Sequence, residues 1–204
     1  MKQANLIIVG GPISVGKSTL VSLLPWPSVS ELDEKDEIQK LMLENTYKKG
    51  RVHPTVIENY FLQKRRQKYE LNADKKQISI LDRSIFESLW FAKSNMNNND
   101  FKNFEKLWRN TIKQLIKDFG KPKIYILLTC SWDTFKKRIF KRGRLVELSN
   151  FNSNEVFFKN HIKEYENHMK SIFEEFQINY MKIETDSLST QEVYEVAKKK
   201  VESL

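Results

Sequence analysis

Apolar residues along this chain fall into two spacings. Five short runs, Leu6 to Val9, Val29 to Ser30, Ile78 to Leu81, Ile124 to Leu128 and Tyr180 to Ile183, read as strands. Several are apolar at consecutive positions, the pattern of a parallel sheet covered on both faces. Between them, Thr55 to Leu71, Phe101 to Phe119 and Ser153 to Phe176 carry apolar residues at helical spacing. Strands alternating with helices predict a doubly wound α/β fold with five parallel strands. Pro25 and Pro27, Gly50 and Pro54, and Gly120 with Pro122 mark joints, the last before the fourth strand. The polar run Asn95 to Asp100 predicts an exposed loop capping the next helix.

Composition narrows the classes without choosing among them. The chain has 204 residues, 40% hydrophobic and 30% charged, which fits one globular α/β unit over 1–204 with no internal repeat. No apolar stretch reaches the roughly 18 residues of a membrane span, and Met1 to Asn5 leads straight into a strand with no signal-peptide pattern. Cys130 is the only cysteine, so a reducing, cytoplasmic setting is expected. The net charge of +9 raises nucleic-acid binding. The positive residues are scattered, however, and no basic run is interleaved with aromatics, so no nucleic-acid partner is expected. His53, His161 and His168 are too separated to suggest a metal site, and surface placement is expected.

Chemistry enters at Gly11-Pro12-Ile13-Ser14-Val15-Gly16-Lys17-Ser18, a complete G-x-x-x-x-G-K-[ST] phosphate loop. It lies between the first strand and a helix beginning near Thr19, the context the motif requires. The glycines let the backbone turn its N–H groups inward, and the helix N-terminus favours an anion. Lys17 would reach the outer phosphates, Ser18 would offer its hydroxyl to Mg²⁺, and the bound molecule would be a nucleoside triphosphate. A second signal is Asp82-Arg83-Ser84 after the third strand. An acid delivered there suits a phosphate-loop enzyme's Mg²⁺, and both residues would face the crevice holding Lys17. The third signal is Arg138-Ile139-Phe140-Lys141-Arg142-Gly143-Arg144. Spacing of four puts Arg138 and Arg142 on one helix face, and Gly143 ends or bends that helix. Guanidinium groups on a mobile segment there would close over the triphosphate.

Together these segments resemble the deoxynucleoside kinase family, specifically its bacterial deoxyadenosine/deoxyguanosine kinase-like branch of P-loop kinases. Asp82-Arg83-Ser84 is similar to the family's acid-Arg-Ser triplet, and 138–150 to its arginine-rich lid. The resemblance implies that Glu31, after the second strand, is the general base for a nucleoside 5′-hydroxyl attacking the γ-phosphate of ATP, with Arg83 holding both. It implies that Tyr47 and Glu147 contact the sugar 3′-hydroxyl, that Arg65 is a structural arginine of the substrate helix, and that 184–187 borders the adenine of ATP. It also implies a homodimer.

Three positions depart from the family pattern. Leu32 follows Glu31 where a proline or small residue is usual, and Asp33 and Glu34 offer alternative bases. Glu58 stands where the family offers the nucleobase a glutamine. A carboxylate only accepts hydrogen bonds and matches the two donors of guanine, N1 and N2, which makes deoxyguanosine the first candidate. The competing view makes Glu58 a surface charge on an amphipathic helix. Ser88 replaces an aspartate that several purine-preferring relatives carry. Phe61, Trp90 and Phe91 are candidate walls for the base, or simple core. The rival activities are a nucleoside monophosphate kinase similar to thymidylate kinase, with Arg51 or Arg65 on the acceptor phosphate, a nucleic-acid 5′-kinase, and a nucleotide-binding regulatory protein. No N-K-x-D motif supports a guanine switch.

Overall fold

In the computed structural model, residues 2–33, 35–48, 52–148 and 151–204 are described, with backbone alone at 46–48, 145, 146 and 153. The apolar run at Leu6 becomes the middle strand of the sheet. Strands β1 (Gln3–Gly10), β2 (Ser28–Val29), β3 (Ser79–Asp82), β4 (Lys121–Thr129) and β5 (Tyr180–Glu184) lie in the order β2-β3-β1-β4-β5. All pairs are parallel.

Side chains of β1 alternate between two cores, which is why the strand is apolar throughout. Leu6 and Ile8 face one layer with Leu81 and Leu127. Against it pack α3 (Pro54–Ala73), α4 (Ser88–Asn95), α5 (Asn98–Phe119) and α8 (Glu155–Phe176), through residues such as Leu62, Trp90, Trp108 and Phe173. Ile7 and Val9 face the other layer with Ile80 and Ile126. It is covered by α1 (Lys17–Leu23), α6 (Trp132–Arg142) and α9 (Thr190–Glu202), through Leu20, Phe135 and Ala197. The remaining helices, α2 (Glu37–Lys48) and α7 (Leu145–Leu148), stand at the carboxyl edge of the sheet and meet there. No helix among the described residues is long and apolar enough to cross a membrane.

The expected strands and helices are present, with ends moved by a few residues. Pro122 lies inside β4 rather than before it, opposite Ala4 at the β1 edge where the ladder then slips register. The expected loop Asn95 to Asp100 shrinks to Met96 and Asn97. Asn97 is itself the N-cap of α5, its side chain accepting from the N–H groups of Asn99 and Asp100. Gly143 closes α6 in the left-handed region (φ 68°) and donates to the Ile139 carbonyl. Among the histidines only His53 is at the surface, as N-cap of α3. His161 is fully buried, because α8 turns it toward the loop after β1. Burial lowers the pKa of both His161 and His168, the latter to about 4.

Candidate active site

Register places the chemistry. Val9 pairs with Asp82 and Val29 with Leu81, so the ends of β2, β3 and β1 lie side by side. The phosphate loop leaves β1 against β4. A Cβ on Gly11 (φ 146°) would meet the Leu128 carbonyl oxygen at 2.4 Å, so only glycine fits. Gly16 (φ 106°) starts α1 in a backbone region that other residues avoid. Thr19 follows in the first turn of α1.

Lys17 is buried, and its Nζ donates to the Pro12 carbonyl at 2.7 Å. Burial, then the charge of Arg83, lowers its pKa to about 7 against the opposing pull of Asp82, Glu87 and Glu31. The ammonium is therefore short of negative charge, a deficit that a phosphate would fill. Ser18 Oγ donates to Asp82 Oδ2 at 2.6 Å, while Asp82 Oδ1 is buried without a partner. Burial raises the Asp82 pKa. A hydroxyl beside an orphaned carboxylate oxygen is an oxygen donor set that fits Mg²⁺, a hard cation usually held by one or two protein groups plus phosphate.

Arg83 adopts a left-handed backbone (φ 66°) and donates its N–H to the Val9 carbonyl. Such a conformation persists where surrounding contacts over-determine it, and here they do. Its Nε donates to Glu31 Oε2 at 2.8 Å and its Nη1 to Glu87 Oε1 at 2.7 Å. Arg65 Nη2 donates to the other oxygen of Glu31 at 2.8 Å. Burial pushes the Glu31 carboxyl up, but the charges of Arg83 and Arg65 and the Arg65 hydrogen bond outweigh it and hold the pKa at about 2. Glu31 is thus an anion gripped by two guanidiniums.

Two cavities meet here. The first, about 460 Å³, is lined by Glu31, Glu58, Phe61, Arg83, Phe91 and Glu147, with Lys17 and Ser18 at one end. The second, about 540 Å³, is lined by Ser14, Val15, Gly16, Thr19, Arg138 and Thr185. Lys17, Ser18, Arg142 and Arg144 line both. Ile13 lines the first cavity, and Gly11 lines neither.

The structure also moves several expected residues. Arg138 is anchored rather than free, its guanidinium donating to the Val15 carbonyl and to Thr185 Oγ1 and carbonyl. Of 184–187, Thr185 reaches the second cavity, while Asp186 accepts from Ser131 at the start of α6. Ser88 is not on the cavity wall. It is fully buried and accepts from Arg65 Nη1 at 3.1 Å, one layer behind. Trp90 is likewise core, donating to His161 Nδ1 at 2.5 Å. Glu147 is buried, accepts from Arg142 and lines the first cavity. Asp33 lines it too, with no contact to Arg83 or Arg65. The side chain of Tyr47 lies outside the described residues, as do Glu34 and Arg51.

Sequence reasoning missed three supports. Glu87 is fully buried and accepts from Arg83, Tyr165 and the Gly11 and Ser84 N–H groups. Its signal was legible, since Ser84-x-x-Glu87 is a capping box. His161 Nε2 stands 3.2 Å from the Ile13 nitrogen, bringing α8 against the phosphate loop; the neutral ring has one acceptor nitrogen, which the shorter Trp90 contact at Nδ1 takes. Asn95 holds Glu58 from α4. Glu87→Ala strands the Tyr165 hydroxyl and part of Arg83 without a buried partner. It should cost about 3–5 kcal/mol in urea unfolding, and a loss below about 1 kcal/mol would contradict this network.

Two compartments with a common wall at the phosphate-loop lysine are the layout of a phosphate-loop kinase, in which donor and acceptor meet across that wall. The model of the deoxynucleoside kinase family matches residues 7–204, and the chain belongs to that family. It is an ATP-dependent kinase with a nucleoside as acceptor. It is 34% identical over 187 residues to uncharacterized protein MG268 of Mycoplasma genitalium, covering 88% of this chain and 82% of that one. The deoxyguanosine kinase of Bacillus subtilis is 28% identical over 155 residues, 72% of this chain and 71% of its own. A solved structure of deoxyadenosine kinase from M. mycoides, with dCMP and a flexible dCDP bound, superimposes with TM-score 0.75 at 21% identity. That superposition covers 98% of this chain and all of that one, a likeness of fold.

Proposed function

We propose that this protein transfers the γ-phosphoryl group of ATP to the 5′-hydroxyl of a purine deoxynucleoside, deoxyguanosine or deoxyadenosine, in nucleotide salvage. The observation that carries the reading is the pair of cavities sharing Lys17 and Ser18. In it, the second cavity takes ATP, with the N–H groups from Ser14 to Thr19 and the side chain of Lys17 on the phosphates. Arg138 braces the loop, and Arg142 and Arg144 complete the charge from the lid side. Ser18 and Asp82 would hold Mg²⁺, which would supply charge neutralisation to the phosphates. The deoxynucleoside occupies the first cavity, its sugar toward Glu31, Arg83 and Glu147 and its base between Phe61 and Phe91 near Glu58.

The low pKa of Glu31 shapes its role. Phosphoryl transfer through a loose transition state asks little of the base until the hydroxyl is well advanced. An anion fixed by Arg83 and Arg65 orients that hydroxyl and takes its proton late. A phosphate acceptor needs no such group and would bring two more negative charges beside Glu31, which argues against the monophosphate-kinase rival. The deoxyguanosine kinase of Bacillus subtilis and the deoxyadenosine kinase of Lactobacillus acidophilus, the latter 29% identical over 149 residues, support a purine substrate without choosing between the bases. The reading further takes 1–204 as one unit, forming a cytoplasmic homodimer without a nucleic-acid partner.

The test is the preference profile. With ATP and Mg²⁺, kcat/KM for deoxyguanosine and deoxyadenosine should exceed that for thymidine by at least about tenfold. Equal or higher use of thymidine, or use of ribonucleosides alone, would overturn the assignment.

A further inference from the structure

Glu58 is not a surface charge. It is 2% exposed and lines the acceptor cavity together with Phe61, Phe91 and Asn95. Asn95 Nδ2 donates to Oε1 at 2.6 Å, and Oε2 receives no hydrogen bond among the described residues. Among the described residues no ion pair compensates a charge there. Around the cavity the ionisable groups are Arg65 on the same helix, Asp82 and Arg83 at the end of β3, and Glu31 and Asp33 after β2. Lys17 faces it from the phosphate loop, Lys40 from α2, and Arg142, Arg144 and Glu147 from the lid side. Of these charges only Arg65 pulls Glu58 appreciably toward its charged form, after the Asn95 hydrogen bond, and it is already engaged by Glu31 and Ser88.

A carboxyl so placed presents two different faces to a base. Ionised, it has acceptors only. Protonated, it has one O–H donor and one carbonyl acceptor, the same pair a glutamine amide offers. Adenine shows an acceptor at N1 beside a donor at N6, so it pairs with the acid and meets lone-pair repulsion from the carboxylate. Guanine shows donors at N1 and N2 and pairs with the carboxylate. Resting on the deoxynucleoside kinase reading above, in which Glu58 stands at the family's base-contacting position, we propose that the proton on Glu58 selects the base. The neutral acid admits adenine, and the carboxylate admits guanine. Asn95 takes one lone pair of Oε1 from the protein side in both forms, which fixes Oε2 as the protonated oxygen of the acid and leaves Oε2 and the second lone pair of Oε1 for the base.

The titration falls in the working range. Burial raises the Glu58 pKa to about 7, against the Asn95 hydrogen bond and the Arg65 charge. The ratio of carboxylate to acid then changes about a hundredfold between pH 6 and 8. Because the folded pKa is raised, the neutral form's contribution to stability is complete below about pH 4.5. It is lost as pH rises through about 7.

The experiment is the ratio of kcat/KM for deoxyguanosine to that for deoxyadenosine between pH 5.5 and 8.5. Lys17 also titrates near pH 7, but it acts on both substrates alike and cancels in the ratio. If one purine is bound but not turned over, its Ki as a competitor takes the place of kcat/KM. The ratio should rise by at least about tenfold with pH, with an inflection near neutrality. In Glu58→Gln it should be flat and favour deoxyadenosine. That variant should also melt above the wild type at pH 8 and level with it at pH 5. A flat wild-type ratio with both purines bound, or a pH-dependent ratio surviving in Glu58→Gln, overturns the inference and leaves the kinase reading standing. Failure of every deoxynucleoside to bind overturns both.

Discussion

Lys17→Ala should abolish phosphoryl transfer to every acceptor while leaving the fold intact. The side chain lines both cavities and is the only ammonium among the described residues that does so. Charge-stabilising groups aimed at a transferring phosphoryl are each worth about 10²–10⁵ in rate, so the loss should be on the order of 10³-fold or more. Stability should move the other way. Burying the ammonium lowers its pKa from 10.5 to about 7, which means that folding is opposed by its charge at neutral pH. Between those two values the unfolded chain holds more protons, so wild-type stability rises with pH across the window. The variant lacks that rise. Urea unfolding at pH 7 and pH 9 separates the two outcomes. A variant that is inactive because it is unfolded at pH 7 would contradict the assignment.

Glu31→Gln has the second-largest expected effect. Kcat should fall by about 10²–10⁴, with KM for the nucleoside changed by no more than a few fold. The pH dependence discriminates further. Burial works against the charged form of Glu31, but Arg83 and Arg65 hold its pKa near 2. Glu31 thus stays ionised across the active range, and the variant's profile should be the wild-type curve lowered uniformly. An inflection between pH 5 and 9 that vanishes in Glu31→Gln would show that the group titrates there and that two arginines do not hold it down. For stability the sign is the depressed-carboxylate one. The contribution is present above about pH 4.5 and is lost as pH falls toward 2. Glutamine can no longer balance two buried guanidiniums, so the variant should also be less stable at neutral pH.

What the chain revealed unaided follows from the range of the forces involved. The phosphate loop, the strand-end pair Asp82-Arg83 and the alternation of strands and helices are local patterns, and each is found where the pattern put it. Glu31 was legible only through resemblance. The two-residue strand β2 carries too little apolar pattern to aim a side chain by itself, and Asp33 and Glu34 stood equally near. The polar layer beneath the site was not legible. Ser88 behind Arg65, Trp90 on His161 and Tyr165 on Glu87 are set by the packing of α3 and α8 against 85–95, between partners 23 to 78 residues apart. The buried state of Glu58 was hidden for the same reason. Its helix has an amphipathic spacing that suits either a surface charge or a pocket wall, and only the contact with Asn95 of α4 decides between them. Arg138 shows the converse. Its place on a helix face was readable, but its anchoring to Val15 and Thr185 depends on where β5 ends.

The central claim is that the acceptor cavity delivers a sugar hydroxyl, not a phosphate, to the wall it shares with the triphosphate site. The direct measurement is a competition in one tube, with γ-labelled ATP, Mg²⁺, deoxyguanosine and deoxyguanosine monophosphate, followed by separation of the labelled products. The two-cavity account predicts label in the 5′-monophosphate, formed from the nucleoside. Label found in the diphosphate alone would contradict it.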